Sequence, residues 1–244
     1  MGKKRGQISL FILIGIILVV LIGVIIYLLS SQDVEREPEE FTQQAVEKLV
    51  ESCVERTGED ALKFMGLQGG EAYPIGYPEY LQIGTFILPY HYYHGFNLML
   101  PLDSVEEDQL GRYFAEEMED CLDIDIWDFD SDFSSAEIKS DIVEYSYRYT
   151  AESDENVYEG YVIGEIPSRF RDIYSIAGNI TESFVIEPDY IDLSYLAALL
   201  DYGYNVVYYV FDNDTLVYNI IDEEVYVDGE PYTYQFAVVF NETN

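Results

Sequence analysis

From Ile8 to Leu29 the chain runs for 22 residues, ISLFILIGIILVVLIGVIIYLL, without a charged side chain, and Ser9 is the only clearly polar one. No other feature limits the fold so strongly. A helix rises about 1.5 Å per residue, so this segment reaches across the roughly 30 Å hydrocarbon core of a bilayer. Lys3, Lys4 and Arg5 precede it and every acidic residue follows it. The positive-inside rule then places the N-terminus in the cytoplasm and the remainder outside. The segment reads as a single transmembrane helix over 7–31, behind a basic leader at 1–6 and ahead of a polar linker at 32–38 that contains Pro38. Residues 39–244 form the expected ectodomain. A secretory signal peptide has a shorter apolar core, about 7 to 15 residues, and a small-x-small cleavage site, which LLSSQDVE lacks. A lipoprotein anchor needs a cysteine just past the apolar run, and the first is Cys53.

The residues at the start of that segment resemble a known family. KKRGQISLF, a basic cluster and Gly6 before Gln7 with the apolar run behind it, is similar to the archaeal class III signal peptide of type IV pilin-like precursors. The resemblance implies a membrane leader peptidase as a partner, cutting between Gly6 and Gln7 and leaving the helix on the mature protein. Phe11 stands fifth after that cut, where family members commonly carry a Glu that assists subunit assembly. The order of the ectodomain also resembles uncharacterised membrane-anchored proteins of small-genome archaea: a helix with Cys53, LQGG, a hairpin, a helix ending at Cys121, a meander and a Tyr-rich end. That likeness implies no activity.

With 47 acidic and 12 basic residues the formal charge is −35. Such a surface repels phosphate backbones, so nucleic acid is not an expected partner, whereas cations and basic partners are favoured. Dense carboxylates also keep an exposed domain soluble in salty surroundings. Outside the cytoplasm Cys53 and Cys121 are expected to form a disulfide; the alternative is two buried thiols, because spacing alone does not bring their Cα atoms within bridging distance.

Apolar positions Phe41, Ala45, Leu49, Val50, Cys53, Val54, Ala61, Leu62 and Met65 follow the three-and-four spacing of an amphipathic helix over 39–65. Gly58 is an expected break in it, and Gly66, Gly69 and Gly70 its stop. The aromatic, Pro-rich and Gly-rich stretch up to Leu102 reads as short strands in a hairpin-like excursion. A second helix is predicted from Ser104 to Leu122, with Ser104 and Glu107 in the form of a capping box. Leu122, Ile124 and Ile126 alternate with Asp123 and Asp125, as in a strand with one wet face. Residues 137–150 and 156–166 read as strands, 167–186 as a helix weakened at Gly178, and 193–200 as a short helix. NVVYYVF, TLVYNII, EVYV and YTYQFAVVF read as strands separated by DNDT, DE and an Asp228–Gly229 turn. The expected class is α+β, amphipathic helices packed on antiparallel sheet in one domain.

Candidate sites are few. DFDSDF at Asp128, Asp130 and Asp132 opens like a calcium loop, but Phe133 takes the glycine position and Lys139 that of the bidentate Glu, so the Asp123–Asp132 stretch reads as a solvated strand edge. His91 and His94 fall on opposite faces of a strand and lack the further ligands of a zinc site. No cofactor or metal is expected, and no catalytic motif occurs. The 24 tyrosines suit half-exposed strands, each with an apolar body and a polar tip. Asn179, Asn213 and Asn241 open glycosylation sequons, Asn213 in a predicted turn being the best placed. Taken together, the expected protein is a membrane-anchored cell-surface protein with a structural or adhesive role, in contact with the membrane and either with itself or with other surface proteins. The alternatives are an anchored ectodomain that does not assemble and binds a solute, glycan or envelope component, and an anchored hydrolase using carboxylates.

Overall fold

The computed structural model describes residues 42–73, 80–84, 86–153, 156–188 and 190–239. The predicted leader, transmembrane helix and linker lie outside these residues. Among the described residues no helix is long and apolar enough to cross a membrane. Residues from Gln43 onward form one compact unit of mixed α+β structure.

Helix α1 (Gln43–Leu67) buries Val46, Val50, Cys53, Val54, Thr57, Ala61, Leu62 and Met65 along one face. The expected break at Gly58 does not occur. A Cβ there would lie 2.8 Å from Cδ2 of Tyr145, so the glycine admits an aromatic ring from a neighbouring strand and the helix runs on. Its end is a Schellman motif: the Gly70 amide donates to Met65 O at 2.8 Å and the Gly69 amide to Gly66 O at 3.3 Å, with Gly69 at φ 60°.

Strands β1 (Tyr80–Ile83) and β2 (Phe86–Tyr93) form an antiparallel hairpin, and β3 (Phe96–Asn97) pairs back onto β2. Helix α2 starts at Leu102–Ser104, passes through a π-helical stretch Val105–Gly111 and continues as Arg112–Cys121. The capping box is therefore not formed: Ser104 has helical dihedrals and makes no side-chain cap. Pro101 holds the start instead, and Glu106 Oε1 accepts the Ile138 amide at 2.6 Å.

Strands β4 (Asp128–Ile138), β5 (Ile142–Glu152) and β6 (Val157–Pro167) make a three-stranded antiparallel sheet. The strand expected at 122–126 is only an isolated bridge between Ile124 and Trp127, with Ile126 56% exposed. The chain must turn there from the end of α2 into β4, and Trp127 is the residue that becomes buried.

Helices α3 (Phe170–Ile186) and α4 (Leu193–Leu199) lead to β7 (Tyr204–Val210), β8 (Thr215–Val227) and β9 (Glu230–Val239). These complete a six-stranded sheet of order β1-β2-β9-β8-β7, with β3 on β2. The sheet is mixed rather than antiparallel, because β2 runs parallel to β9. The expected gap at Asp222 and Glu223 is instead a register shift inside one long β8. Asp222, 0% exposed, accepts Arg169 Nε at 2.8 Å and Arg169 Nη2, and its Oδ1 accepts the Glu224 and Val225 amides at 2.9 and 3.2 Å. A carboxylate so fully bonded can sit inside a strand.

The tyrosines are more deeply placed than alternation implies. Tyr92, Tyr145, Tyr218, Tyr232 and Tyr234 are fully buried side chains. His91 stacks on Phe236 at 4.5 Å, Phe236 on Tyr218 at 5.2 Å, and Tyr218 meets Phe184 at 6.2 Å, an aromatic column between the six-stranded sheet and α3. A smaller cluster, Leu81, Leu88, Tyr90, Val217, Ala237 and Val239, is separate from this main core.

At Gly66 a Cβ would run into the carbonyl oxygen of Thr233 on β9. In an isolated helix Gly→Ala stabilises by about 1 kcal/mol. Here the obstacle is backbone, and Gly66→Ala is expected to destabilise by about 2–3 kcal/mol, read as a lower urea midpoint with unchanged slope.

Candidate functional site

Of the residues singled out in the sequence, Gly6, Gln7 and Asn241 lie outside the described residues. Cys53 and Cys121 are joined by a disulfide with Cα atoms 5.9 Å apart, tying α1 to the end of α2 across 68 residues of chain. Closing a loop of that length stabilises by about 4 kcal/mol in the chain-entropy account. Asn213 is exposed in the turn between β7 and β8. Asn179 is exposed on α3, but its Nδ2 donates to the Tyr195 hydroxyl at 3.2 Å. His91 is buried in β2, whereas His94 is exposed in the next turn at φ 46°, so the two do not converge.

His91 belongs to a buried polar node on the LQGG turn. Its Nε2 lies 3.0 Å from Gly69 O, which also accepts the Tyr234 hydroxyl at 2.7 Å. A carbonyl can only accept, so Nε2 carries the proton and Nδ1 is the bare nitrogen. Nδ1 has no hydrogen-bond partner among the described residues. Gln68 Oε1 accepts the Ile87 amide at 3.1 Å, pinning the same turn to β2. Burial lowers the His91 pKa to about 4, against a smaller opposing effect of the Gly69 carbonyl. A closed, neutral imidazole of this kind organises the fold; it does not meet a substrate.

Two clefts open at the surface near α2. One, of about 470 Å³, is lined by Glu71, Leu100, Ser104, Glu107, Asp108, Gln109 and Arg112. The π-helical stretch turns Gln109 so that its Oε1 accepts the Tyr73 amide at 2.8 Å, and the Arg112 guanidinium lies 4.0 Å from the centre of the Tyr73 ring. Glu116 accepts both the Tyr73 hydroxyl and Arg112 Nε, contacts that lower its pKa, the Tyr73 bond foremost. Asp212 is likewise lowered, chiefly by the Asp214 amide. Both shifts run opposite to that required of a general acid near neutrality.

The other cleft, of about 390 Å³, lies between the end of α2 and β4. Glu119, Asp120 and Asp123 come from the helix end, Trp127, Asp128, Phe129, Asp130 and Ser131 from the bridge and β4, and Tyr147 from β5. No basic residue occupies the last turn of α2, so the negative end of the helix dipole adds to the carboxylates. Trp127, Phe129 and Tyr147 are its aromatic floor under an acidic rim, with Trp127 backed by Tyr158 at 5.5 Å and Phe129 by Tyr149 at 6.3 Å. Among the described residues no three His, Cys, Asp or Glu side chains are placed to hold a metal ion. The arrangement suits a diffuse cation, which needs field rather than fixed coordination, and half-buried Phe129 is the lining ring that offers a face for stacking. Its aspartates are legible in the sequence; its floor is not, because the partners of Trp127 and Phe129 lie on β5 and β6.

The His91 node makes stability depend on pH. The folded state holds the ring neutral while the unfolded chain protonates it near its ordinary value of 6.5. Stability is complete above that value and is lost as pH falls toward about 4, by about 3 kcal/mol in total. His91→Gln is expected to flatten this limb relative to the parent protein, measured as the difference in unfolding free energy between pH 7 and 4.5. No known protein family, curated protein or solved structure matches the chain.

Proposed function

We propose that this is a membrane-anchored cell-surface protein whose compact domain is displayed outside the cytoplasm in a structural or adhesive role. Residues 7–31 are the spanning helix, oriented by Lys3, Lys4 and Arg5, and a leader peptidase cuts between Gly6 and Gln7. The observation that carries the reading is the Cys53–Cys121 disulfide, a bond that persists in oxidising compartments, in a domain that follows an apolar segment of bilayer length. The acidic surface supports the same placement, since it is repelled by anionic lipid and remains soluble as an exposed layer.

Mass spectrometry of protein from native membranes is expected to give a mature chain beginning at Gln7. Without reduction it should show no alkylated cysteine, and protease added to intact cells should remove the domain. Retention of Lys3 to Arg5 would remove the leader reading and keep the anchor; a protected domain with free thiols would overturn both.

A second reading, an anchored module that binds an envelope glycan or a cationic solute, is favoured by the acidic cleft with its aromatic floor. Trp127 is the only tryptophan of the chain, so its emission reports on that cleft alone. Titration with envelope oligosaccharides or a polyamine is expected to shift the emission saturably, and Asp128→Asn with Asp130→Asn to weaken the polyamine response. An unchanged spectrum with every probe removes this reading.

A further inference from the structure

Apart from the two-residue β3, the sheets end in four strands among the described residues, and three of these carry a device that discourages pairing with another chain. β4 holds Asp128, Asp130 and Asp132 and a register break between Ser131 and Phe133. β6 carries Glu159 and Glu165 and stops at Pro167. β1 is four residues long. Charge, bulges, proline and shortness are the usual means of keeping an open edge monomeric.

β7 has none of them. From Tyr204 to Val210 it reads YNVVYYV, followed by Phe211, without a charge, in a chain of which 24% is Asp, Glu, Lys or Arg. It pairs with β8 in unbroken register. The Glu223 amide donates to Gly203 O and the Phe211 amide to Thr215 O, so the odd-numbered residues turn their backbone groups toward β8. The N–H and C=O of Val206, Tyr208 and Val210 therefore point away from it, where no described strand lies. Val207, Tyr209, Val210 and Phe211 are exposed.

We propose that β7 is an assembly edge on which a second copy of this chain pairs, β7 against β7 and antiparallel, continuing the six-stranded sheet across a twofold axis. At a charge of −35 two copies repel over most of their surface, and a basic partner is drawn to the 47 acidic residues, none of which lies on β7. The uncharged edge is where a like-charged chain can approach. With Tyr208 opposite its counterpart, Val206 faces Val210 and Val207 faces Tyr209, the second being a β-branched and aromatic pair that stabilises antiparallel ladders. Even-numbered residues then meet even-numbered ones, as the outward backbone groups require. Asp212 falls opposite Tyr204 and Asp214 opposite Tyr202, so no carboxylate faces another across the seam. The inference stands on the folded domain and holds whether or not residues 7–31 lie in a membrane.

The test uses full-length chains in whole expressing cells, one carrying Val207→Cys and the other Tyr209→Cys, co-expressed, oxidised and run on non-reducing gels. The mixture is expected to give at least about tenfold more linked dimer than either variant alone, about 1.4 kcal/mol of register preference. Val210→Pro, which removes an N–H that β8 does not use, and independently Val210→Lys, should abolish the product at unchanged melting temperature. Equal yields from the single variants, equal yields from Tyr161→Cys on β6, a mixture that stays monomeric, or a link to a different protein would each overturn the proposal.

Discussion

The contact of α1 with two sheets at once is the constraint on which the rest of the domain depends. The helix packs on β5 and β6 along its middle and on β9 at its end, and neither sheet covers it alone. Its approach is set by absent side chains. Gly58 receives the Tyr145 ring, Gly164 of β6 receives Val54, whose Cγ1 would lie 2.6 Å from an added Cβ, and Gly66 meets the backbone of β9. Protein interiors are close-packed, so one methylene at any of these points moves a helix or a strand and not merely a rotamer. The buried stretch is then fixed within its first half and at its end. Cys53 is bonded to α2, and the Schellman turn beyond Leu67 offers Gly69 O to His91 and Tyr234 and Gln68 Oε1 to β2.

Charge is organised around this core rather than through it. Among the described residues Lys63, Arg112, Lys139 and Arg148 sit in surface pairs, such as Arg112 with Glu116 and Lys63 with Asp228, which solvent screens and which add little to stability. Arg169 with Asp222 is different in kind. Asp222 is wholly buried, and the same guanidinium also reaches Tyr202 O at 3.1 Å, Glu224 at 2.8 Å and the face of Tyr204 at 4.3 Å. It fastens the entry of α3 to β8 and to the start of β7. Removing one partner of such a pair costs about 3–5 kcal/mol, because the other is left charged and unpaired. The start of β7 at Tyr204 is thus held by an arginine that precedes α3 in the chain.

Much of the architecture was legible in the sequence where periodicity met local chemistry. The amphipathic run of α1, its glycine stop, α3, α4 and the C-terminal strands all follow from spacing and turn residues. The failures share a cause. Gly58 and the Asp222–Glu223 pair look like interruptions because glycine and adjacent carboxylates are poor element formers in isolation, and the Tyr145 ring and Arg169 that legitimise them come from distant positions. Ser104 and Glu107 match a cap in pattern, yet the helix already starts at Leu102 and widens into a π-turn whose reason is tertiary, the burial of Val105, Gln109 and Leu110. Several tyrosines lie deeper than their spacing implies. Alternation predicts a wet tip, whereas the hydroxyls of Tyr145, Tyr218 and Tyr232 are buried, and burial drives their pKa upward. For the candidate site the sequence supplied the rim, Asp123 to Asp130, but not the aromatic floor assembled from strands it had no means to align.

The acidic surface and the uncharged β7 edge bear on each other. Repulsion between like-charged surfaces extends over a Debye length, about 8–10 Å in dilute physiological salt and about 3 Å at 1 M, whereas strand pairing acts across about 5 Å. Strong salt therefore leaves the ladder intact while removing most of what holds two copies apart. In dilute salt the same carboxylates enforce orientation, because an approach that buries β4 or β6 against another copy brings Asp128, Asp130, Glu159 or Glu165 toward like charge. Such a surface directs contacts to β7, the one uncharged edge strand longer than four residues among those described, and the geometry of that strand admits one antiparallel partner.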